Sequence, residues 1–174
     1  MLLFLVFILF VGVYSAPVSN GCPDGGVQSS VNSSTCYLYV NGSFPHLEDI
    51  GWSSPPDGAE DYCRKYPNGH LASISDAFTN KFITDYLQKV VVTFGANMTS
   101  LVWIGGYAYC TQVGLGADCN WLWTDADNFS YDNFETGSGY EFFDTSIAIK
   151  PSTGKWFSES GKNLYSIICE MTKN

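Results

Sequence analysis

The chain has few of the side chains that catalysis commonly uses. It contains 2 histidines, His46 and His70, too few for a histidine-based nucleophile system or a zinc site. Gly154-Lys155 in the segment PSTGKW lacks the spacing of a phosphate-binding loop and the Ser/Thr that should follow it, so we predict a turn there. Carboxylates occur in pairs between residues 118 and 144, but spacing alone assigns no general acid or base. We therefore expect that the protein is not an enzyme.

Cysteine is the residue type with the clearest chemical role. The chain has 6 cysteines, an even number that predicts three disulfides in an oxidising compartment. They are Cys22, Cys36, Cys63, Cys110, Cys119 and Cys169. Their number and spacing alone do not decide which cysteine pairs with which.

The N-terminus has the pattern of a secretion signal. Residues 1–14 carry no charged side chain and are followed by Ser15, Ala16 and Pro17, which is typical of a signal segment and its cleavage zone. This apolar run is shorter than the roughly 20 residues needed to span a bilayer. An uncleaved anchor is the alternative, because the segment has no basic residue before it. We predict a signal peptide at residues 1–16, a secreted, extracellular protein and no membrane span in the mature chain.

Four Asn-x-Ser/Thr sequons agree with this destination, because the acceptor asparagine must be exposed during secretion. We predict a glycoprotein that carries glycans at one or more of these positions. They are Asn32, Asn41, Asn97 and Asn128.

Charge and length limit the possible partners and the number of domains. The formal net charge of -9 at pH 7 repels partners that present phosphates, so we exclude nucleic acid and anionic membrane surfaces. The 174 residues, of which 45% are hydrophobic, can bury one sizeable core and are too few for two comfortable domains. We expect a single domain.

Hydrophobic patterns predict a mixed domain of helices and short strands. A hairpin closed at 22–36 leads into a strand at 37–40. Helices are predicted at 57–66 and at 75–91. The second helix begins at a capping residue and has a stripe of residues four apart that we expect to face the core. This stripe consists of Phe78, Phe82, Tyr86 and Val90.

The second half of the chain shows no long helical period. Short apolar runs predict strands at 101–104, 146–149, 155–157 and 166–169. Between the first two lie roughly 40 residues, 105–145, that we expect to form a long irregular region, which in a compact domain is usually functional or disordered. The cysteines at 110 and 119 favour an ordered region.

Several separate motifs together resemble those of C-type-lectin-like proteins, and the resemblance runs from Cys22 to Glu170. In chain order the motifs are Cys22-Pro-Asp-Gly with Cys36-Tyr, Trp52 with Ala59 and Cys63, Gly69-His70-Leu71-Ala72-Ser73-Ile74, Trp103-Ile104-Gly105-Gly106, Trp121-Leu122-Trp123-Thr124-Asp125, Gly154-Lys155-Trp156 and Ile167-Ile168-Cys169-Glu170. The resemblance implies an α+β C-type-lectin-like fold over 22–171, with two helices packed on short antiparallel sheets beside a long irregular loop region. We assign Trp103, Trp123 and Trp156 to its core.

The resemblance also implies the disulfide pairs. It joins Cys63 to Cys169 and Cys22 to Cys36, which leaves Cys110 to pair with Cys119. The common family pattern has a further bridge where this chain has Thr145 and Gly161 or their neighbours. A bridge between the WIG and Trp-x-Trp motifs is instead similar to a variant found in secreted lectin-like proteins of nematodes.

The calcium-binding residues of sugar-binding family members are missing. Those members hold calcium with a Glu-Pro-Asn or Gln-Pro-Asp triplet in the long loop and an Asn-Asp pair after the strand tryptophan. This chain has Ser138-Gly139-Tyr140 and Phe157-Ser158 at those places. The resemblance therefore implies no metal and no cofactor at the standard site.

A non-standard calcium site is the alternative, built from loop carboxylates and backbone carbonyls, although a solvated acidic loop is the simpler interpretation. The acidic residues are Asp118, Asp125, Asp127, Asp132, Glu135, Glu141 and Asp144.

Candidate ligand-binding residues all lie in the predicted irregular region. They are Trp121, Tyr131, Asp132, Asn133, Glu135, Ser138, Tyr140 and Glu141. Trp121, Tyr131 and Tyr140 could offer apolar faces to a sugar ring or anchor a protein partner, and for Trp121 and Tyr140 structural packing is the alternative.

Two functions follow from these residues and the resemblance. The first is glycan recognition without the standard calcium-sugar site, and the alternative is calcium-independent binding of an extracellular protein. A role in innate immunity would rest on the fold alone, which does not determine function.

Overall fold

The computed structural model describes residues 21–46, 58–113, 116–139 and 144–173. The predicted signal peptide at 1–16 lies outside the described residues, as do Trp52, Tyr140 and Glu141.

The described residues form two helices and eight strands. Their bounds are β1 Val27–Gln28, β2 Thr35–Phe44, α1 Ala59–Cys63, β3 His70–Leu71, α2 Ala77–Thr93, β4 Val102–Val113, β5 Gly116–Trp123, β6 Thr145–Ile149, β7 Trp156–Ser160 and β8 Tyr165–Thr172. Neither helix is long and apolar enough to cross a membrane, a finding that covers only the part of the chain just given.

The strands join in one sheet of order β1-β2-β8-β4-β6-β7, with β3 beside β8 and β5 beside β4. β2 and β8 pair antiparallel, with Thr35 opposite Thr172 and Val40 opposite Ile167. β4 and β8 are parallel, and the other paired strands are antiparallel. The N-terminal hairpin thus forms one end of the sheet and lies beside the last strand. Two helices and this mainly antiparallel sheet make an α+β fold, which confirms the predicted fold class.

The three predicted disulfides are confirmed. Cys22 and Cys36 close the hairpin before β2, with their Cα atoms 5.6 Å apart. Cys63 at the end of α1 joins Cys169 in β8, with a Cα separation of 5.4 Å. Cys110 and Cys119 face each other across β4 and β5. Where the common family pattern has a further bridge, Thr145 pairs with Ser160 in the β6–β7 ladder instead.

Helix α2 is capped by Asp76 and not by Ser75, where the helix was predicted to begin, and the predicted core stripe is not its buried face. The Asp76 carboxylate accepts hydrogen bonds from the backbone N–H groups of Phe78 and Thr79, at 2.7 and 2.8 Å. The buried face of the helix consists of Thr79, Asn80, Ile83, Thr84, Leu87 and Val91. Phe78 is 78% exposed, and the rest of the predicted stripe, Phe82, Tyr86 and Val90, is only partly buried against the core.

The position of Tyr86 explains why the stripe with the larger side chains does not lie at the centre of the core. Its hydroxyl accepts a hydrogen bond from the backbone N–H of Tyr39 and donates one to the carbonyl oxygen of Gly25, both at 3.1 Å. These backbone partners hold the polar tip of the ring at the edge of the core. The branched side chains of Ile83, Leu87 and Val91 pack at the centre instead, because they bury no polar atom.

The predicted irregular region is only partly irregular. Its first half is a hairpin in which β4 continues to Val113 and pairs with β5 from Gly116 to Trp123. Alternation along β5 buries Trp121 and Trp123 and exposes Leu122, the period-two pattern of a half-buried strand. The abundance of glycine and polar residues in this region concealed the alternation in the sequence. In the structure, the irregular loop begins only after Trp123.

The core has three tryptophans at the predicted positions. Trp103, Trp123 and Trp156 are at most 1% exposed. The indole Nε1 of Trp103 donates to the carbonyl oxygen of Phe44 at 2.9 Å, and that of Trp156 donates to Asn80 Oδ1 of α2 at 2.7 Å. Each of these two buried indole N–H groups thus has a hydrogen-bond acceptor, and the bonds join the sheet to its neighbouring elements.

Candidate binding site in the long loop

The long loop, defined here as residues 124–144 between β5 and β6, is held down by Asn133. The Asn133 side chain donates to the carbonyl oxygen of Gly154 at 2.8 Å and accepts from Lys155 Nζ at 2.9 Å. The backbone carbonyl oxygen of Asn133 accepts from the backbone N–H of Trp156 at 3.1 Å, and the backbone carbonyl oxygen of Trp156 accepts from Glu135 N–H at 2.9 Å. Asn133, predicted as a ligand candidate, thus uses both ends of its amide to fix the loop.

Gly154 allows this turn to approach helix α2. It has a φ of +69°, a conformation that side-chain-bearing residues seldom adopt, and a Cβ there would lie 2.5 Å from Thr84 Oγ1. Its carbonyl oxygen also accepts from Asn80 Nδ2 at 3.2 Å. The predicted turn at Gly154-Lys155 therefore connects α2, β7 and the long loop.

Aromatic side chains of the loop form a cluster around the buried Trp156. Phe129, Tyr131 and Phe134 place their ring centroids 5.6 to 6.2 Å from that of Trp156. Trp121, another ligand candidate, is 8% exposed and packs against Phe134 at 5.4 Å, so it has little surface to offer a ligand. Tyr131 is only half-buried and keeps part of its ring at the surface.

Two serines meet where the resemblance locates the calcium ligands. The Ser138 hydroxyl oxygen accepts from the backbone N–H of Ser158 at 2.9 Å, and the Ser158 hydroxyl oxygen accepts from Gly139 N–H at 3.1 Å. The two hydroxyl oxygens are 3.3 Å apart. Neutral hydroxyls thus engage each other and the backbone at a place where a calcium ion would need charged oxygen ligands.

The described acidic residues of the loop are spread out. Asp132 is exposed, Glu135 accepts from its neighbour Thr136 N–H at 3.0 Å, and Asp144 lies 3.5 Å from Lys162 Nζ. Within the described ranges, no group of three or more His, Cys, Asp or Glu side chains comes together as a metal would require. Glu141 is outside those ranges, and the absence of calcium stays a prediction based on the chemistry of the serine pair.

A half-buried acidic pair, Asp125 at the start of the loop and Glu170 in β8, was not predicted as a site of its own. The Ser73 hydroxyl donates to Asp125 Oδ2 at 2.6 Å, and the backbone N–H of Ser73 donates to Glu170 Oε2 at 3.2 Å. Burial raises the pKa of Glu170 to about 7, with a smaller contribution from the negative charges of Asp125 and Asp127. In the sequence Glu170 stands out only as part of a fold motif, and Asp125 as part of a motif and of the acidic set of the loop. No spacing rule brings positions 73, 125 and 170 together.

The contacts of the two histidines are structural. His46 is buried, its Nε2 lies 2.7 Å from the carbonyl oxygen of Ile104, and burial lowers its pKa to about 4. His70 Nδ1 lies 2.8 Å from Glu60 Oε1. Each histidine supports local structure, and neither is paired with a nucleophile among the contacts that the structure describes.

All four sequon asparagines, Asn32, Asn41, Asn97 and Asn128, are exposed. Their surface positions are compatible with glycosylation.

Comparison with known proteins identifies the family. A family model described as the lectin C-type domain matches residues 53–171. A protein named lectin from Pleurodeles waltl is 30% identical over 122 residues, which cover 66% of this chain and 62% of that protein. The alignment thus spans less than two thirds of the relative's own length.

Solved structures show the same fold at low sequence identity. The crystal structure of CEL-IV has a TM-score of 0.66 and 20% identity, over 88% of this chain and 95% of that chain. A calcium-independent type II antifreeze protein has a TM-score of 0.61 and 21% identity, with the same coverage of the two chains. Such identities establish the architecture alone. The family model covers more than half of this chain, and the disulfide-linked fold agrees with that match. The chain therefore belongs to the C-type lectin domain family, whose members are typically binding modules.

Proposed function

We propose that this chain is a secreted module that recognises glycans without the standard calcium-sugar site. The observation that carries the proposal is the Ser138–Ser158 pair, in which neutral hydroxyls bond to each other and to the backbone at the expected calcium position. Calcium prefers carboxylate and carbonyl oxygens, so this pair is a poor ligand set. Family membership supports the binding role.

The surface beside the serine pair has the chemistry that a sugar needs. The exposed Asp132 and Thr136 offer an acceptor and a hydroxyl, and the half-buried Tyr131 offers part of an apolar ring. A sugar presents hydroxyls at its edge and C–H groups on its face, so it can use both kinds of contact. We expect weak binding, because no metal ion fixes the sugar.

Secretion is supported by the three disulfides, because such bonds persist in oxidising compartments and are rare in the cytosol. Recovery of the folded, oxidised protein from the medium of expressing eukaryotic cells tests this part of the proposal. Retention of reduced protein inside the cells would contradict it.

Protein binding is the second candidate function, and the outer face of the β4–β5 hairpin favours it. Tyr109 is 52% exposed and Leu122 is 38% exposed. Tyr107 pairs with Leu122 and lies two residues from Tyr109, so the three side chains share one face of the hairpin. Exposed aromatic and aliphatic side chains on a rigid element are typical anchors of protein interfaces.

A glycan array probed in calcium and again in a chelator tests the proposed function. We expect the same glycans to be retained in both conditions. Tyr131→Ala should weaken retention about two- to tenfold, the loss of one aromatic contact of about 0.5 to 1.5 kcal/mol. Tyr109→Ala is the matched control, because it removes a ring from the hairpin face and should leave retention unchanged.

Other results would overturn parts of this proposal. Retention only in calcium would indicate a replacement metal site near Asp132 and Glu135. If no glycan is retained and Tyr109→Ala abolishes capture of a protein partner, the second candidate function holds instead.

A further inference from the structure

A cavity of about 410 Å³ lies apart from the long loop, between the end of β2, the C-terminal end of α2 and the start of β8. Its apolar lining includes Tyr39, Val91, Leu164 and Tyr165, and none of the described loop residues, 124–139 and 144, contributes to it. The volume is within the range of about 300 to 1,000 Å³ that small-molecule sites occupy.

The cavity combines polar and apolar groups at its mouth. Leu164, one of the lining residues, is 60% exposed. Outside the lining, Phe94 is 54% exposed, and its ring centroid lies 5.7 Å from that of Tyr39. Ser100 and Ser166 add hydroxyls to the lining. An amphipathic ligand of the size of one or two sugar rings would place its C–H face on Leu164 and its hydroxyls toward the serines.

Two sequon asparagines, Asn41 and Asn97, also line this cavity. Asn97 lies in a turn after α2, where its Oδ1 accepts from the backbone N–H of Thr99 and its carbonyl oxygen accepts from that of Ser100, both at 2.9 Å. The turn uses the oxygen of the side-chain amide, while a glycan attaches at the nitrogen. Asn41 lies within β2 instead, and its Oδ1 accepts from Ser166 Oγ at 3.3 Å.

We propose that the cavity holds the chain's own N-linked glycan, whose first N-acetylglucosamine residues are attached at Asn97 and pack against the exposed Leu164 and the half-buried Tyr165. Attachment at the rim makes the contact intramolecular, so even a weak sugar contact is populated. The glycan covers apolar surface that is otherwise exposed and thereby stabilises the folded chain. The inference rests on secretion and sequon use, and it is independent of any ligand of the long loop.

Two substitutions of one residue test the stabilising role. In secreted full-length protein, Thr99→Ala destroys the sequon and Thr99→Ser preserves it, and the Asn97 side chain is unchanged in both. Mass spectrometry should find a glycan on Asn97 in the wild type and in Thr99→Ser only. We expect Thr99→Ala to lower the Tm by about 2 to 4 °C relative to Thr99→Ser, a typical shift for a chain of this size on losing one favourable contact.

A control and a direct contact measurement complete the test. Asn128→Gln removes a sequon outside the cavity and should leave the Tm unchanged. NMR of the glycosylated protein should show proximity between the N-acetyl methyl groups and the side chains of Leu164 and Tyr165.

The proposal is overturned by an unglycosylated Asn97, by equal Tm values for Thr99→Ala and Thr99→Ser, or by a glycan that shows no contact with Leu164. None of these results bears on glycan retention by the array assay, so failure here and failure of the proposed function are distinguishable.

Discussion

At the scale of single residues, the acidic pair of Asp125 and Glu170 determines part of the pH dependence of stability. The Glu170 carboxylate accepts a hydrogen bond from the backbone N–H of Ser73, and the hydroxyl of the same serine donates one to Asp125. Burial raises the folded-state pKa of Glu170 to about 7 from an ordinary value of 4.5. The folded state therefore favours the protonated carboxyl, whose contribution is fully present below pH 4.5 and is lost as the pH rises through 7.

Glu170→Gln should consequently stabilise the protein in mild base and have little effect in acid. The amide keeps an acceptor for Ser73 N–H and carries no charge to bury. At pH 8 we expect a gain of about 1 to 3 kcal/mol in the free energy of unfolding, which shrinks toward zero near pH 4.5. Urea unfolding at several pH values measures it, with Glu135→Gln as the control in the loop. A loss of stability at pH 8 would show that the ionised carboxylate is needed.

At the scale of elements, helix α2 and the β4–β5 hairpin show which features depend on local sequence and which depend on packing against other elements. A cap near the start of α2 could be predicted from the sequence to within one residue, because Asp76 accepts its capping bonds from residues two and three positions ahead. Which face of the helix is buried depends on β2 and the other strands that it covers. The same holds for the hairpin, in which Cys110 and Cys119 face each other only once β4 and β5 are in register.

Substitutions on the two faces of α2 test the observed orientation. Leu87 is fully buried, so Leu87→Ala should lower the free energy of unfolding by about 2 to 5 kcal/mol. Phe78 is 78% exposed, so Phe78→Ala should change it by no more than about 0.5 kcal/mol. Urea denaturation of both variants provides the comparison. Similar losses for the two would mean that the helix is rotated toward the originally predicted stripe.

At the scale of the whole molecule, the disulfide between α1 and β8 constrains the chain most. It joins residues 106 positions apart, against 14 for Cys22–Cys36 and 9 for Cys110–Cys119. Longer loops lose more unfolded-state entropy on closure. The Cys63–Cys169 bridge therefore stabilises the fold most. The Cys110–Cys119 bridge in the β4–β5 hairpin stabilises it less and acts mainly on local shape.

Removal of these bridges should follow that order. The double variant Cys63→Ala/Cys169→Ala should lose about 4 to 5 kcal/mol, and Cys110→Ser/Cys119→Ser about 2 to 3 kcal/mol, in the free energy of unfolding. Thermal unfolding of the secreted proteins, followed by circular dichroism, compares them under identical conditions. A larger loss from the hairpin bridge would mean that the β4–β5 hairpin is a cooperative part of the core.

The sequence alone determined the class of the protein. Cysteine number, motif order and the resemblance they carry predicted the α+β lectin-like fold, the three pairs and the core tryptophans, because these features depend on residue identity and order. The missing calcium ligands are likewise visible in the sequence, since Phe157 has no side-chain oxygen to offer.

Only the tertiary structure decided which surfaces are available and which side chains meet. The burial of Trp121, the anchoring of the loop by Asn133 and the Ser138–Ser158 pair each join residues distant in the chain. The Ser73, Asp125 and Glu170 cluster and the cavity beside Asn97 have the same origin. Periodicity shows that one face of a segment is buried and the other is exposed. It does not show which distant segment packs against the buried face, because that depends on how the whole chain folds.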